Sequence, residues 1–401
     1  MTTSFFAAVE MAPRDPILGL TEAFNADTRP NKANLGVGVY LDDNGKVPLL
    51  SAVRRAEKAR LESLPPRSYQ PIDGPAAFSQ TVQRLLFGEG SPLLAAGRVL
   101  TCEALGGTGA LKVGADYLRR LLPQSTVFIS DPSWENHRAL FEYAGFPVAS
   151  YAYYDPTTRG VDFAAMKASL AQLPPESIVV LHACCHNPTG ADLEPSQWAE
   201  IIELVGARRL LAFVDFAYQG FADSLEEDAL PVRLFAESGL QFLVAGSFSK
   251  SFSLYGERVG SLSVVTANRD ETLRVLSQIK RVIRTNYSNP PTHGGAIVAA
   301  ILADGELARL WEEELAGMRA RIRTMRSALV DELRARGVQT DLSFITRQRG
   351  MFSYTGLSAA QVDRLREEFG VYLIRSGRMC VAGLNSGNVE RTAVAMAAVL
   401  G

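Results

Sequence analysis

The sequence predicts an α/β fold, a mostly parallel sheet sandwiched by helices with a smaller α+β domain beside it. Two observations carry this. Continuous apolar runs of strand length recur at residues 127–130, 178–183, 210–214 and 242–245, with helical stretches between them such as 196–205, and 260–265 reads as another strand; strands buried on both faces read this way. The unusual polar residues also cluster just after those runs: Asp131 to His137, His186 to Gly190, Asp215 to Gly220, and Ser247 to Lys250. In open parallel sheets, ligands bind outside the carboxyl ends of the strands.

Taken in order, residues 1–13 read as an extended arm ending at Pro13, followed by a short helix to about Asn25. Two glycines, Gly36 and Gly38, interrupt an apolar segment at 34–40, which suits close approach of a backbone to a ligand. Residues 42–45 read as a turn. A helix over 50–64 is expected to turn Val53, Ala56, Ala59 and Leu61 inward, and a proline-rich loop at 69–75 leads into a helix at 76–87. Gly106-Gly107-Thr108-Gly109 opens a helix to about Leu122. Such a start is either an anion site or a plain helix entry, and its spacing is not that of a nucleotide P-loop. A helix ends near Arg284 and is broken by Asn286 to Pro291. From Glu306 to Arg336 a stripe of Trp311, Leu315, Met318, Ile322, Met325, Leu329 and Leu333 marks one long core helix. Residues 352–354 and 371–374 read as strands. Between them, Ser358 to Gln361 is a capping box and Gly370 a helix stop. A final helix starts near Val389.

Composition narrows the class. The 401 residues allow about two to three domains, or one large domain with a satellite. A net charge of -2 with both signs dispersed gives no footing for nucleic acid or a membrane surface. Cys102, Cys184, Cys185 and Cys380 fit neither a disulfide framework nor a zinc spacing, so no metal is expected and reduced thiols point to the cytoplasm. The first residues lack a basic segment and carry Glu10, unlike a secretory signal.

Lys250 is the centre of the site reading. It follows an apolar strand, lies beside Ser247 and Ser249, and precedes Arg258. Alone, it would be an ordinary surface lysine. With polar residues gathered at neighbouring strand ends, its amine can form an imine with an aldehyde cofactor while Ser247, Ser249 and Arg258 hold a phosphate.

Over nearly its whole length the chain resembles the pyridoxal-phosphate aminotransferases of fold type I, in the aspartate and aromatic subgroup. The matching stretches include 34–40, 106–111, Trp134-Glu135-Asn136-His137, 186–190, 215–220, 247–260, 286–291 and 376–383. Residues 251–258 and 378–385 look like the bacterial aromatic-amino-acid (tyrosine) branch. The aspartate branch usually has asparagine where Cys380 stands.

The resemblance implies pyridoxal 5'-phosphate carried on Lys250, with Asp215 facing the ring nitrogen and His137 supporting Asp215. Tyr218 and Asn187 would meet the phenolic oxygen, and Trp134 would stack on the ring. Gly107, Thr108, Ser247, Ser249 and Arg258 would form the phosphate cup, joined by Tyr69 of a second subunit. Lys250 would then act as general base in ping-pong kinetics. Arg378 would take the substrate α-carboxylate and Arg284, from the neighbouring subunit, a side-chain carboxylate. Gly38, Ile17, Leu18 and Phe352 would shape the rest of the substrate site. Arg375 departs from the family pattern and adds charge near Arg378. The implied activity is transfer of the amino group of tyrosine or phenylalanine, and also aspartate, to 2-oxoglutarate by an obligate homodimer. The alternative is an aspartate aminotransferase with broad tolerance. The expected division is an arm at 1–13, a small domain from 14–47 and 314–401, and a large cofactor-binding domain at 48–313.

Overall fold

The computed structural model describes residues 4–12 and 16–401. Its centre is a seven-stranded sheet: β1 (Val99–Leu105), β2 (Val127–Asp131), β3 (Val148–Ala152), β4 (Ile178–His182), β5 (Leu211–Phe216), β6 (Phe242–Ser247) and β7 (Val259–Val265). Their spatial order is β1-β7-β6-β5-β4-β2-β3. Only β7 runs against its neighbours; the other pairings in the sheet are parallel. β4, β6 and β7 are buried along their whole length, as the apolar runs of β4 and β6 lead one to expect.

Helices pack both faces. Gly106–Leu121 buries Ala110, Leu111, Val113 and Leu118 against the sheet, and Gly114 is needed there because a Cβ would meet the Phe213 ring at 2.4 Å. The long helix Gly305–Ala335 buries the stripe from Trp311 to Leu333. Trp311 donates its indole N–H to the Ser251 carbonyl at 2.7 Å, which fastens this helix to the loop carrying Lys250. The capping box at Ser358 and Gln361 is formed, and Gly370 ends that helix with φ 69°.

The short strand Ala33–Asn34 pairs with Val371–Tyr372, far away in sequence. Strand Phe352–Tyr354 pairs with Arg378–Cys380. These two small pairings place the Gly38 and Arg378 segments beside each other.

Two expectations need correction. In the helix Ser51–Ser63 the buried residues are Ala52, Val53 and Ala56, whereas Ala59 is exposed and Leu61 is 70% exposed. Only the first half of that helix lies over the core. The expected strand at 371–374 is regular only over Val371–Tyr372.

Candidate active site

Six of the seven strands point the same way, and their carboxyl ends open onto a cavity of about 200 Å³. Thirteen of the residues expected at the site line it: Gly38, Gly107, Thr108, Trp134, Asn187, Asp215, Tyr218, Ser247, Ser249, Lys250, Arg258, Phe352 and Arg378. Ser247 closes β6, Asp215 lies in β5 and Arg258 immediately precedes β7.

One end of the cavity is built for an anion. The helix Gly106–Leu121 begins there with no side chain capping it, so the N–H groups just after Gly106 are left for a ligand. Arg258 lies across the helix start, with its carbonyl accepting from the Gly106 N–H at 2.9 Å and its Nη1 donating to Ser249 Oγ at 3.3 Å. Gly106 has φ 69°, and a Cβ there would meet Arg258 Nη2 at 2.4 Å. The guanidinium therefore fits only over a glycine.

Charge in the middle of the cavity is arranged differently. His137 Nε2 and Asp215 Oδ2 are 2.9 Å apart, and His137 Nδ1 is 2.9 Å from Ser133 Oγ. Burial pushes the Asp215 carboxyl up, but the hydrogen bond from His137 and nearby positive charge outweigh it and hold the group below the usual carboxylate range. Lys250 Nζ sits 4.9 Å from the Tyr218 ring centre. Burial pushes its amine down to about 8, with Asp215 opposing and Arg258 assisting. Tyr218 is raised well above its ordinary value by burial, against the pull of Arg378.

The other end carries a buried guanidinium. Arg378 is 1% exposed and lies 4.6 Å from the Phe352 ring centre. It donates to Asn187 Oδ1 at 3.2 Å and to the Gly36 carbonyl at 2.8 Å. Its Nε is buried with no partner, a donor that a ligand would be expected to satisfy. Gly38 keeps this end open, since a Cβ would stand 2.9 Å from the Phe352 ring.

Two of the expected residues are placed away from the cavity, and two more cannot be placed from the described residues. Tyr69 is 90% exposed, and Arg284 is exposed with Nη1 on Ser288 Oγ. Ile17 and Leu18 belong to the helix Pro16–Ala26, but their side chains lie outside the described residues. Arg375 is exposed and paired with Asp363 at 3.0 Å.

Sequence reasoning missed Leu111, His182, Ala217 and Tyr255, which also line the cavity. Tyr255 accepts from the Tyr40 N–H at 2.9 Å. His182 is 8% exposed with both ring nitrogens unpartnered, and burial pushes its pKa down to about 3. Its place as the last residue of an apolar strand was the available signal. His137, His182 and Asp215 bring ligand atoms within 4.8 Å of one another; the His137–Asp215 bond gives that cluster a use that needs no ion.

Comparisons with known proteins place the chain in a family. Residues 30–396 match the family described as aminotransferase class I and II. The chain is 63% identical over 397 residues to an aspartate aminotransferase of Pseudomonas aeruginosa, covering 99% of this chain and 100% of that protein. It is 52% identical to the aromatic-amino-acid aminotransferase of Escherichia coli, covering 98% of this chain and 100% of that protein. A crystal structure of an aromatic-amino-acid aminotransferase from Burkholderia pseudomallei, covalently bound to pyridoxal phosphate, superposes with a TM-score of 0.98 at 65% identity, covering all of both chains. The chain belongs to the class I and II aminotransferases.

Proposed function

We propose that this aminotransferase moves the amino group of tyrosine or phenylalanine, and also of aspartate, to 2-oxoglutarate, using pyridoxal 5'-phosphate. The observation that carries the reading is the cavity itself, with an anion cradle, a buried amine and a buried guanidinium fork along one line of strand ends. The residues fit the cofactor. The uncapped helix start with Ser247, Ser249 and Arg258 suits its phosphate. Lys250 suits its aldehyde and Asp215 its ring nitrogen.

When bound, the pyridoxal ring supplies an electron sink for the charge left at the substrate α-carbon. The chain's own residues do the rest. Gly107, Thr108, Ser247, Ser249 and Arg258 hold the phosphate, and Trp134 covers a ring face. Asp215, ionised and steadied by His137, keeps a proton on the ring nitrogen. Tyr218 and Asn187 serve the phenolic oxygen. Arg378 grips the α-carboxylate through a planar fork that a lysine could not reproduce. Lys250 has an amine lowered toward neutrality, so it can take the proton from the α-carbon near physiological pH.

Tyr69 and Arg284 lie on the surface, which suits residues that complete the site of a second copy. We read the working unit as a cytoplasmic homodimer with shared sites. Among the described residues no helix is long and apolar enough to cross a membrane. We also read 14–47 with 314–401 as a small domain over a large one at 48–313, supported by the pairing of Ala33–Asn34 with Val371–Tyr372. The name of the Pseudomonas aeruginosa relative favours the second reading, an aspartate aminotransferase with broad tolerance.

Two measurements test this. Borohydride reduction of the purified protein followed by peptide mapping is expected to label Lys250; a label elsewhere, or none, overturns the site. An amino-donor panel with 2-oxoglutarate is expected to give phenylalanine or tyrosine a kcat/KM at least equal to that of aspartate. The reverse order selects the second reading.

A further inference from the structure

A second cavity, of about 400 Å³, opens where the helix Gly305–Ala335 passes residues 221–223 and 346–350. Its wall carries Arg319, Arg323, Arg347 and Arg349 against a single lining carboxylate, Asp223. A fifth arginine, Arg326, is buried and donates to the carbonyls of Ile345, Gly350 and Phe352, so it has a structural task. The other four are only partly engaged. Arg319 reaches the Gly220 carbonyl at 2.6 Å, Arg323 the Ala222 carbonyl at 2.6 Å, and Arg347 the Ser343 hydroxyl at 2.9 Å.

Asp223 behaves as an internal stand-in for a ligand. One of its oxygens meets Arg323 at 2.7 Å and the other meets Arg349. The other acids nearby are themselves held by backbone N–H groups or stand outside the lining. The carboxylate of Asp228 is taken up by the N–H groups of Gly220, Ala222 and Asp223. Asp192 accepts from the N–H groups of Cys185 and His186, and its charge reaches Arg326 and, with Glu194, Arg349; Asp341 faces Arg347 but accepts from the Ser343 N–H. Guanidinium groups converging on a concave surface make a site for oxyanions, because planar forks match carboxylate and phosphoryl oxygens.

We propose that this cavity binds a small polyanion, a molecule with two or more carboxylate or phosphoryl groups, at a site separate from the Lys250 cavity. The volume suits a metabolite. Occupancy would be felt at the substrate site, because the Arg349 N–H donates to the Gly190 carbonyl at 2.7 Å, and Phe352, three residues on, lines that cavity. The inference does not rest on the reaction assigned above.

The test is calorimetric titration of citrate and, separately, inorganic pyrophosphate into cofactor-loaded protein, in which the anion cradle beside Lys250 is already filled. Arg347→Gln with Arg349→Gln is expected to weaken binding by about tenfold or more, since charge-assisted forks are lost. Asp223→Asn is expected to tighten it by about threefold, because Arg323 and Arg349 are released from their internal partner. Should the double variant fail to fold, the Asp223→Asn arm decides. Citrate alone, pyrophosphate alone or both binding in this pattern supports the site and names the group it prefers. Binding that is absent, or indifferent to these substitutions, overturns it.

Discussion

In the proposed reading, Arg378 is the residue on which substrate recognition turns. A guanidinium that is 1% exposed with an unpartnered Nε has already been desolvated, so an arriving carboxylate meets a donor prepared for it. Arg378→Lys keeps the charge and loses the fork; kcat/KM for every amino donor is expected to fall by about 2–4 kcal/mol of transition-state stabilisation. Arg284→Ala should differ by penalising aspartate and 2-oxoglutarate while sparing tyrosine. Glu135 adds a subtler control. Its Oε2 lies 3.7 Å from Arg378 Nη1 and its side chain is 37% exposed, so it competes weakly with the incoming carboxylate. Glu135→Gln is expected to lower the Kd of an unreactive monocarboxylate such as 3-phenylpropionate by about two- to fivefold, an effect that shrinks in high salt. Equal affinity in both proteins would remove Glu135 from the account. Lys250 sets a pH dependence. With its amine lowered to about 8 by burial, the neutral form that can capture an aldehyde grows as pH rises through that value. Capture of the cofactor by cofactor-free protein should therefore speed up with pH and level off above about 8. A profile still climbing toward the ordinary lysine range would contradict the lowered value.

Among the elements, β1 carries an unusual burden. Glu103 is 1% exposed there, with Oε2 lacking a partner, and burial pushes its carboxyl up to about 8 from 4.5. The sign follows from which state holds the proton. Above about 4.5 the unfolded chain ionises while the fold keeps Glu103 neutral. Stability is thus lost progressively between those two values and levels off beyond the higher one, at a limiting rate of about 1.4 kcal/mol per pH unit. Glu103→Gln is expected to raise Tm more at pH 8 than at pH 5, read by calorimetry; an equal change at both would refute a buried neutral acid. The same strand explains what the sequence concealed. β4, β5 and β6 were legible because strands buried on both faces are apolar throughout. β1 mixes Thr101, Cys102 and Glu103 among apolar residues, and β3 is an edge strand with Ser150 exposed, so neither stands out by pattern. The reversed direction of β7 was also hidden, because a strand's composition carries no arrow. The chemistry was easier to read than the scaffold. Lys250, Asp215, Ser247 and Arg258 are polar residues at strand ends, whereas His182 and Tyr255 read as continuations of a strand and a loop.

At the scale of the whole molecule, the surface asks for a companion. Leu49, Leu61, Leu64, Tyr69 and the arm residues Phe5, Phe6 and Met11 are exposed, and scattered apolar exposure of this size next to residues expected to serve another site fits a dimer interface. Sedimentation is expected to give twice the chain mass at micromolar concentration. A functional version is sharper. Lys250→Ala and Arg284→Ala proteins, each deficient toward aspartate, should regain activity when unfolded and refolded together. A mixed pair holds one site with both residues intact. No recovery would mean that Arg284 serves its own subunit or none.

The lone antiparallel strand has one more consequence. Because the chain turns back at β7, a single excursion, residues 248–258, delivers both Lys250 and Arg258 to the same rim. The spacing between the Lys250 amine and the Arg258 guanidinium is therefore set by one ribbon's length, as on a caliper with fixed jaws. Lengthening that ribbon by a residue would upset the grip at both ends at once, while an insertion in the exposed turn at Thr157 and Thr158 would leave it alone.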